Sequence, residues 1–109
     1  MRPVVSTLSR NLEPKEGNLE KRTKDGKSWD KRYFELERSQ LHYYLGKGQK
    51  YRDTIRLYGV PVKLSAEDPR VLLIETESRT WYLKAESSEL AADWLTALKL
   101  HTQAQGPAR

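Results

Sequence analysis

The clearest structural signal in the chain is WDKRYFELE, residues 29–37. Side chains of an extended chain alternate between two faces, so Arg32, Phe34 and Leu36 share one face of this run. Aromatic and aliphatic residues on one face of a short run favour a β-strand. The pattern therefore predicts a strand whose one face packs in a core and whose Arg32 lies at the edge of that core.

Similar short runs lie on both sides of this strand. One precedes it, from Gly17 to Lys21, and five follow it, at residues 41–45, 51–57, 60–64, 71–75 and 80–85. Polar turns separate the runs, and turns every ~8–12 residues are typical of an antiparallel sandwich or barrel. Seven strands are therefore predicted.

The spacing of the apolar residues changes after the last predicted strand. In residues 87–102, Leu90, Trp94, Leu98 and His101 recur at the spacing of one helical face. The predicted fold is therefore mainly β, with seven strands in an antiparallel sandwich or partly open barrel capped by one C-terminal amphipathic helix. We expect Trp94 to fill the open end where the two sheets splay, because a tryptophan on an apolar helical stripe is usually core.

Length and composition limit the class of protein. The 109 residues suit one domain, with 15–102 as the domain, 1–14 as a linker or cloning remnant and 103–109 as a tail. The absence of cysteine excludes disulfides, cysteine-ligated metals and thiol catalysis. No apolar run approaches the roughly 20 residues that span a bilayer, and residues 1–14 do not resemble a signal peptide.

Catalytic motifs are absent from the sequence. The two histidines, His42 and His101, fall on different predicted elements, and there is no nucleophile elbow or zinc-helix motif. Gly46-Lys47-Gly48 lacks the spacing of a nucleotide phosphate loop. We therefore expect a protein that is not an enzyme and that uses no cofactor or metal.

Positive charge concentrates in the first half of the chain. Residues 1–59 carry 14 basic and 8 acidic side chains, whereas residues 60–109 carry 6 and 7. A basic surface commonly meets nucleic acid, anionic lipid or an acidic protein. Nucleic acid is disfavoured because the aromatic residues do not cluster with the basic loop.

Several segments, taken in order, resemble a pleckstrin homology (PH) domain. EGNLEK at 16–21, WDKRYFEL at 29–36 and LHYY at 41–44 look like its opening strands, and TWYLKA at 80–85 and AADWLTAL at 91–98 like its last strand and helix. The resemblance covers about Lys15 to Thr102. It implies two near-orthogonal antiparallel sheets capped by a C-terminal helix.

The resemblance also implies a ligand and a site. Many PH domains hold a phosphoinositide headgroup at the open end, between the first two strands and the third and fourth. The candidate headgroup-binding residues are Lys21, Lys24, Lys27, Arg32, His42, Lys50 and Arg52. Two residues depart from the pattern of strong binders: Asp30 replaces a lysine, and His42 replaces a tyrosine that often binds a phosphate.

The expected function is therefore membrane targeting in the cytoplasm. The expected partner is a phosphoinositide or other anionic lipid, bound peripherally by a monomer, with protein partners also possible. The resemblance implies a larger parent protein, such as a signalling adaptor or a small-GTPase regulator. The alternative is a protein-binding or autoinhibitory module of the same fold with little lipid specificity, since fold does not fix function.

Overall fold

The computed structural model describes residues 12–103, so most of the predicted linker (1–14) and tail (103–109) lies outside the described residues. Seven antiparallel strands precede a C-terminal helix, which confirms the predicted fold. The elements are β1 (Lys15–Arg22), β2 (Trp29–Glu37), β3 (Gln40–Tyr44), β4 (Tyr51–Arg56), β5 (Val62–Leu64), β6 (Val71–Glu75), β7 (Thr80–Lys84) and α1 (Ser88–Gln103).

Strand β1 joins the two halves of one sheet, whose strand order is β4-β3-β2-β1-β7-β6-β5. It pairs with β2 over its whole length but with β7 only at Glu20 and Lys21. The two halves therefore diverge along the rest of β1. All seven strands and α1 contribute to one core cluster, in which Phe34 and Leu83 are completely buried.

Helix α1 closes the gap where the two halves diverge. The Ser87 hydroxyl oxygen accepts a hydrogen bond from the Leu90 N–H at 3.1 Å and caps the helix. Trp94 is buried against Gly17 of β1, as expected. Leu90, predicted to share its stripe, is instead 43% exposed. Trp94, Leu98 and His101 are buried as predicted, and Ala91 takes the place of Leu90 at the start of the buried stripe.

His101 fixes the end of α1 and is completely buried. Its Nδ1 accepts a hydrogen bond from the Ser39 N–H at 3.0 Å, and its Nε2 lies 3.1 Å from the Glu13 carbonyl oxygen. The Ser39 hydroxyl donates to the His101 carbonyl at 2.9 Å. Arg38 and Ser39 both have positive φ, which a tight two-residue hairpin turn requires. One buried side chain thus connects the helix, the β2–β3 turn and the segment before β1.

Candidate functional site

Three loops meet at one end of the sheet, which we call the mouth. They are the β1–β2 loop (23–28), the β3–β4 loop (45–50) and the β6–β7 loop (76–79). Strands β1, β3 and β6 all run toward this end. Each pairs antiparallel with the next strand in the sequence, which starts at this end and runs away from it. Side chains at the ends of these strands are therefore brought together from distant parts of the sequence.

Two aromatic rings form the floor of the mouth. The Lys21 ammonium lies 5.7 Å from the centre of the Tyr43 ring and 5.8 Å from that of Trp81. The Arg79 guanidinium lies 3.8 Å from the Trp81 ring centre. Both rings are buried. Cation–π contacts of this kind hold the two cations in place while leaving them their hydrogen-bonding capacity.

The cations of the mouth repel one another. Burial lowers the pKa of Lys21, and the positive charge of Arg79 lowers it further. Arg32 and Arg52 act in the same direction, and Asp30 opposes them. These four cations are therefore close enough to interact. An anion bound among them would reduce their mutual repulsion.

Arg32 has one donor without a partner. Its Nη2 lies 3.5 Å from Asp30 Oδ2, and its Nη1 donates to the Lys31 carbonyl at 2.8 Å. Its Nε is buried and has no hydrogen-bond partner among residues 12–103. A buried donor without an acceptor costs about 1–3 kcal/mol. A ligand oxygen that reached this nitrogen would recover that cost.

The structure brings together some of the predicted site residues. Lys21, Arg32 and Arg52 belong to the cluster described above. Lys24 and Lys27 lie exposed in the β1–β2 loop, and Lys50 lies exposed in the β3–β4 loop. These three lysines surround the mouth, and none of them is among the charges that perturb Lys21.

His42 does not face the mouth, which corrects its expected position. Leu41 and Tyr43 are buried on the core face of β3, so His42 between them lies on the opposite face. Its Nδ1 lies 2.7 Å from Thr54 Oγ1, and its Nε2 lies 3.5 Å from Glu37 Oε2.

Tyr43 is the β3 side chain that reaches the mouth. Burial raises the pKa of Tyr43, and the carboxylate of Asp53 raises it further, against the opposing charges of Arg79, Arg52 and Arg32. Like any tyrosine, Tyr43 is protonated near neutral pH, and the raised pKa moves its titration further from that range. Tyr43, the neighbour of His42, is thus the β3 residue that can donate a hydrogen bond in the mouth.

Sequence reasoning missed Arg79. It lies in the β6–β7 loop, and its ring contact with Trp81 turns it toward the mouth. The available signal is local: Arg79 and Trp81 are two residues apart, so an extended chain places them on the same side. This side faces Lys21 only because β7 pairs with β1, and these two strands are far apart in the sequence.

Lys21 is expected to lower the stability of the unliganded domain. The pKa of Lys21 is lower in the folded protein than in the unfolded chain. The charged ammonium therefore lowers the free energy of unfolding at any pH below both pKa values, and this loss disappears as the pH rises from the folded pKa to the unfolded pKa. Lys21→Met retains an unbranched side chain and removes the charge. We expect a higher unfolding temperature at pH 7 by thermal denaturation, whereas Lys99→Met, at an exposed site on α1, should leave it unchanged. A lower unfolding temperature for Lys21→Met would contradict this account.

Comparison with known proteins gives the family. The family model for the PH domain matches residues 14–103, and the chain belongs to the PH domain family. Such a domain is typically a non-catalytic module.

Two similar curated proteins are much longer than this chain. Oxysterol-binding protein-related protein 3 of Mus musculus is 33% identical over 88 residues, which are 76% of this chain and 10% of that protein. A sterol 3-beta-glucosyltransferase of Neosartorya fischeri is 29% identical over 93 residues, 78% of this chain and 7% of that protein. The chain thus spans a tenth or less of the length of these two relatives.

Solved structures show the same architecture. The C-terminal PH domain of pleckstrin, in complex with D-myo-Ins(1,2,3,4,5)P5, aligns with a TM-score of 0.72 and 26% identity, covering 82% of this chain and 97% of that one. The PH domain of human oxysterol-binding protein-related protein 11 aligns with a TM-score of 0.73 and 25% identity, covering 89% of this chain and 93% of that one. In the described part of this chain, no helix is long and apolar enough to cross a membrane.

Proposed function

We propose that the mouth binds the phosphorylated inositol headgroup of a phosphoinositide and so recruits the protein peripherally to the cytoplasmic face of a membrane. The observation that carries this proposal is the contact of Lys21 and Arg79 with the Tyr43 and Trp81 rings, with Arg32 and Arg52 near enough to perturb the pKa values of Lys21 and Tyr43. Four cations around a buried floor attract a compact anion with several phosphates. The parent protein is, on this proposal, a larger signalling adaptor or small-GTPase regulator.

Each group has a chemical role in this proposal. Arginine binds phosphate bidentately, whereas lysine acts as a point charge. The Arg32 guanidinium would donate to a phosphate oxygen, as would the Tyr43 hydroxyl. The pleckstrin domain, which shares this fold, was solved with an inositol pentakisphosphate, and that supports the same ligand class.

The exposed lysines of the loops would add attraction without selectivity. Lys24, Lys27 and Lys50 surround the mouth, where a bilayer surface would approach. Each basic residue near an anionic surface contributes about 1 kcal/mol. Their contribution depends on total lipid charge and falls with salt, whereas that of the mouth depends on headgroup structure.

The decisive experiment combines two measurements. Calorimetric titration with inositol 1,3,4,5-tetrakisphosphate and inositol monophosphate tests the mouth alone, and sedimentation with phosphoinositide or phosphatidylserine vesicles at two salt levels tests the membrane. We expect saturable binding of the tetrakisphosphate and retention on phosphoinositide vesicles at the higher salt. No binding in either measurement would refute the proposal and favour a protein-binding module of the same fold.

Asp30 is expected to weaken the binding of the phosphorylated headgroup in the mouth. Its carboxylate holds Arg32 at 3.5 Å and places a negative charge beside the bound phosphates. Asp30→Lys changes the local charge by two, and partly screened charges at such distances contribute about 1 kcal/mol each. We expect tetrakisphosphate binding to tighten by roughly tenfold or more in calorimetry.

A matched control separates the mouth from net charge. Glu67→Lys makes the same charge change in the exposed β5–β6 loop, at the opposite end of β6 from the mouth. It should leave tetrakisphosphate binding nearly unchanged. An equal gain from both variants would mean attraction by total charge, without a pocket.

A further inference from the structure

One aliphatic side chain is exposed at the rim of the mouth. Leu41, Tyr43 and Leu45 are spaced two residues apart along β3 and the start of the β3–β4 loop, so alternation places them on one face. Their exposed fractions rise toward the mouth, from 0% at Leu41 and 8% at Tyr43 to 39% at Leu45. Leu45 therefore continues the core face beyond the aromatic floor and projects from the rim.

The backbone of the β3–β4 loop holds Leu45 in this position. The Leu45 N–H donates to the Lys50 carbonyl at 2.9 Å, and the Gln49 N–H donates to the Gly46 carbonyl at 2.9 Å. Gly48 has a φ of 71°, a conformation that glycine adopts without strain. The exposed leucine is therefore carried by a closed, hydrogen-bonded turn.

The composition of the β3–β4 loop differs from that of the other two loops of the mouth. Its basic residues Lys47 and Lys50 have no acidic residue beside them, whereas the β1–β2 loop contains Asp25 and the β6–β7 loop contains Glu77. Neither of those two loops has an aliphatic or aromatic residue. An anionic bilayer would attract the β3–β4 loop without local repulsion, and this loop alone would offer it an apolar side chain.

The depth of Leu45 relative to the floor of the mouth matches the dimensions of a bilayer. Leu45 is two residues beyond Tyr43, which places it roughly 7 Å farther out along the strand. The polar headgroup layer of one leaflet is roughly 5–7 Å thick. A lipid whose headgroup lay on the floor of the mouth would therefore leave Leu45 at the boundary of the acyl chains.

The side chains around Leu45 suit the polar layer of a membrane. Tyr51 begins β4 beside the loop and is 51% exposed, and its ring meets that of Tyr44 edge to face at 5.8 Å. The Lys47 ammonium lies 6.0 Å from the centre of the Tyr33 ring. Tyrosine and lysine both combine an apolar body with a polar end, so they can remain among the headgroups while Leu45 lies deeper.

From this arrangement we infer that Leu45 inserts into the acyl layer of the bilayer and that the β3–β4 loop is the deepest part of the membrane-bound domain. The inference rests on the proposed binding of a phosphoinositide in the mouth, and it adds an apolar contact that a free headgroup cannot make. It also gives the bound domain an orientation, because the anionic surface repels Glu77 of the β6–β7 loop.

The first test makes use of the absence of cysteine from the chain. Leu45→Cys, and Leu90→Cys as its control, each provide a single attachment point for an environment-sensitive fluorophore. Leu90 is 43% exposed and lies on α1, which follows the end of β7 that points away from the mouth. On vesicles containing phosphatidylinositol 3,4,5-trisphosphate, we expect the label at position 45 to brighten several-fold and to be quenched by nitroxide-labelled acyl chains. The label at position 90 should show neither change.

The second test separates insertion from headgroup binding. Leu45→Ala should weaken sedimentation with the same vesicles by about tenfold, because less apolar surface leaves water. It should leave the affinity for inositol 1,3,4,5-tetrakisphosphate in calorimetry unchanged. Leu90→Ala, the matched control, should change neither measurement.

Three results would overturn the inference. If the unmodified protein binds the tetrakisphosphate and the vesicles but neither Leu45 variant reports insertion, the headgroup site stands and Leu45 is exposed for another contact, such as a protein partner. If Leu45→Ala weakens tetrakisphosphate binding as much as vesicle binding, Leu45 shapes the mouth and does not enter the bilayer. If the unmodified protein binds neither the tetrakisphosphate nor the vesicles, the proposed function and the inference both fail.

Discussion

Trp94→Ala is expected to lower the free energy of unfolding by about 3–5 kcal/mol, the cost of truncating a large buried aromatic side chain. The Trp94 indole fills the space between α1 and the part of β1 that has no β7 partner. A small side chain there would leave a cavity next to Gly17, which has no side chain to fill it. Chemical denaturation monitored by circular dichroism measures the change.

Leu90→Ala is the matched control on the same helix. Leu90 is one turn before Trp94 and 43% exposed, and truncation of surface side chains usually changes stability by less than about 0.5 kcal/mol. A small effect of Trp94→Ala, comparable to that of Leu90→Ala, would mean that the helix does not close the sheet through its tryptophan.

Arg32→Ala should weaken tetrakisphosphate binding by about 10- to 100-fold, because hydrogen bonds to charged groups contribute roughly 1.5–3 kcal/mol. The variant removes the unpartnered Nε donor and also leaves the Asp30 carboxylate without its ion-pair partner. Calorimetry measures the affinity, and thermal denaturation checks that the fold is retained.

Two further variants distinguish a specific role of the Arg32 guanidinium from an effect of total charge. Lys99→Ala removes the same charge from an exposed position on α1 and should change binding little. Arg32→Lys retains the charge and loses the bidentate geometry, so we expect an intermediate affinity. Equal losses from Arg32→Ala and Lys99→Ala would mean that binding depends on total charge, and the mouth would then have no specific role.

Most of the fold follows from local patterns. Alternation in residues 29–37 correctly predicts that Phe34 and Leu36 lie in the core, because a half-buried strand requires a period of two. The helix is equally visible, and so is most of its buried face, since Trp94, Leu98 and His101 are buried as predicted. Among the four predicted residues Leu90 alone differs, since it is exposed and the smaller Ala91 beside it is buried.

The candidate site was less completely predictable. Lys21 and Arg32 lie at strand positions whose facing follows from alternation, and the structure places both in the cluster. The role expected for His42 follows from a family pattern, whereas the alternation of Leu41 and Tyr43 places His42 outward. Arg79 enters the mouth only through strand pairing between distant segments, which no local pattern reveals.

The hydrogen bonds of His101 fix where the polypeptide enters and leaves this domain. Glu13 and His101 are joined at 3.1 Å, beside the β2–β3 turn, so the polypeptide enters and leaves at one corner. That corner is at the far end of β2 from Asp30 and Arg32. Flanking segments are therefore attached at the base of the sheet, at the end opposite the mouth. A pull on either flank would load this corner first.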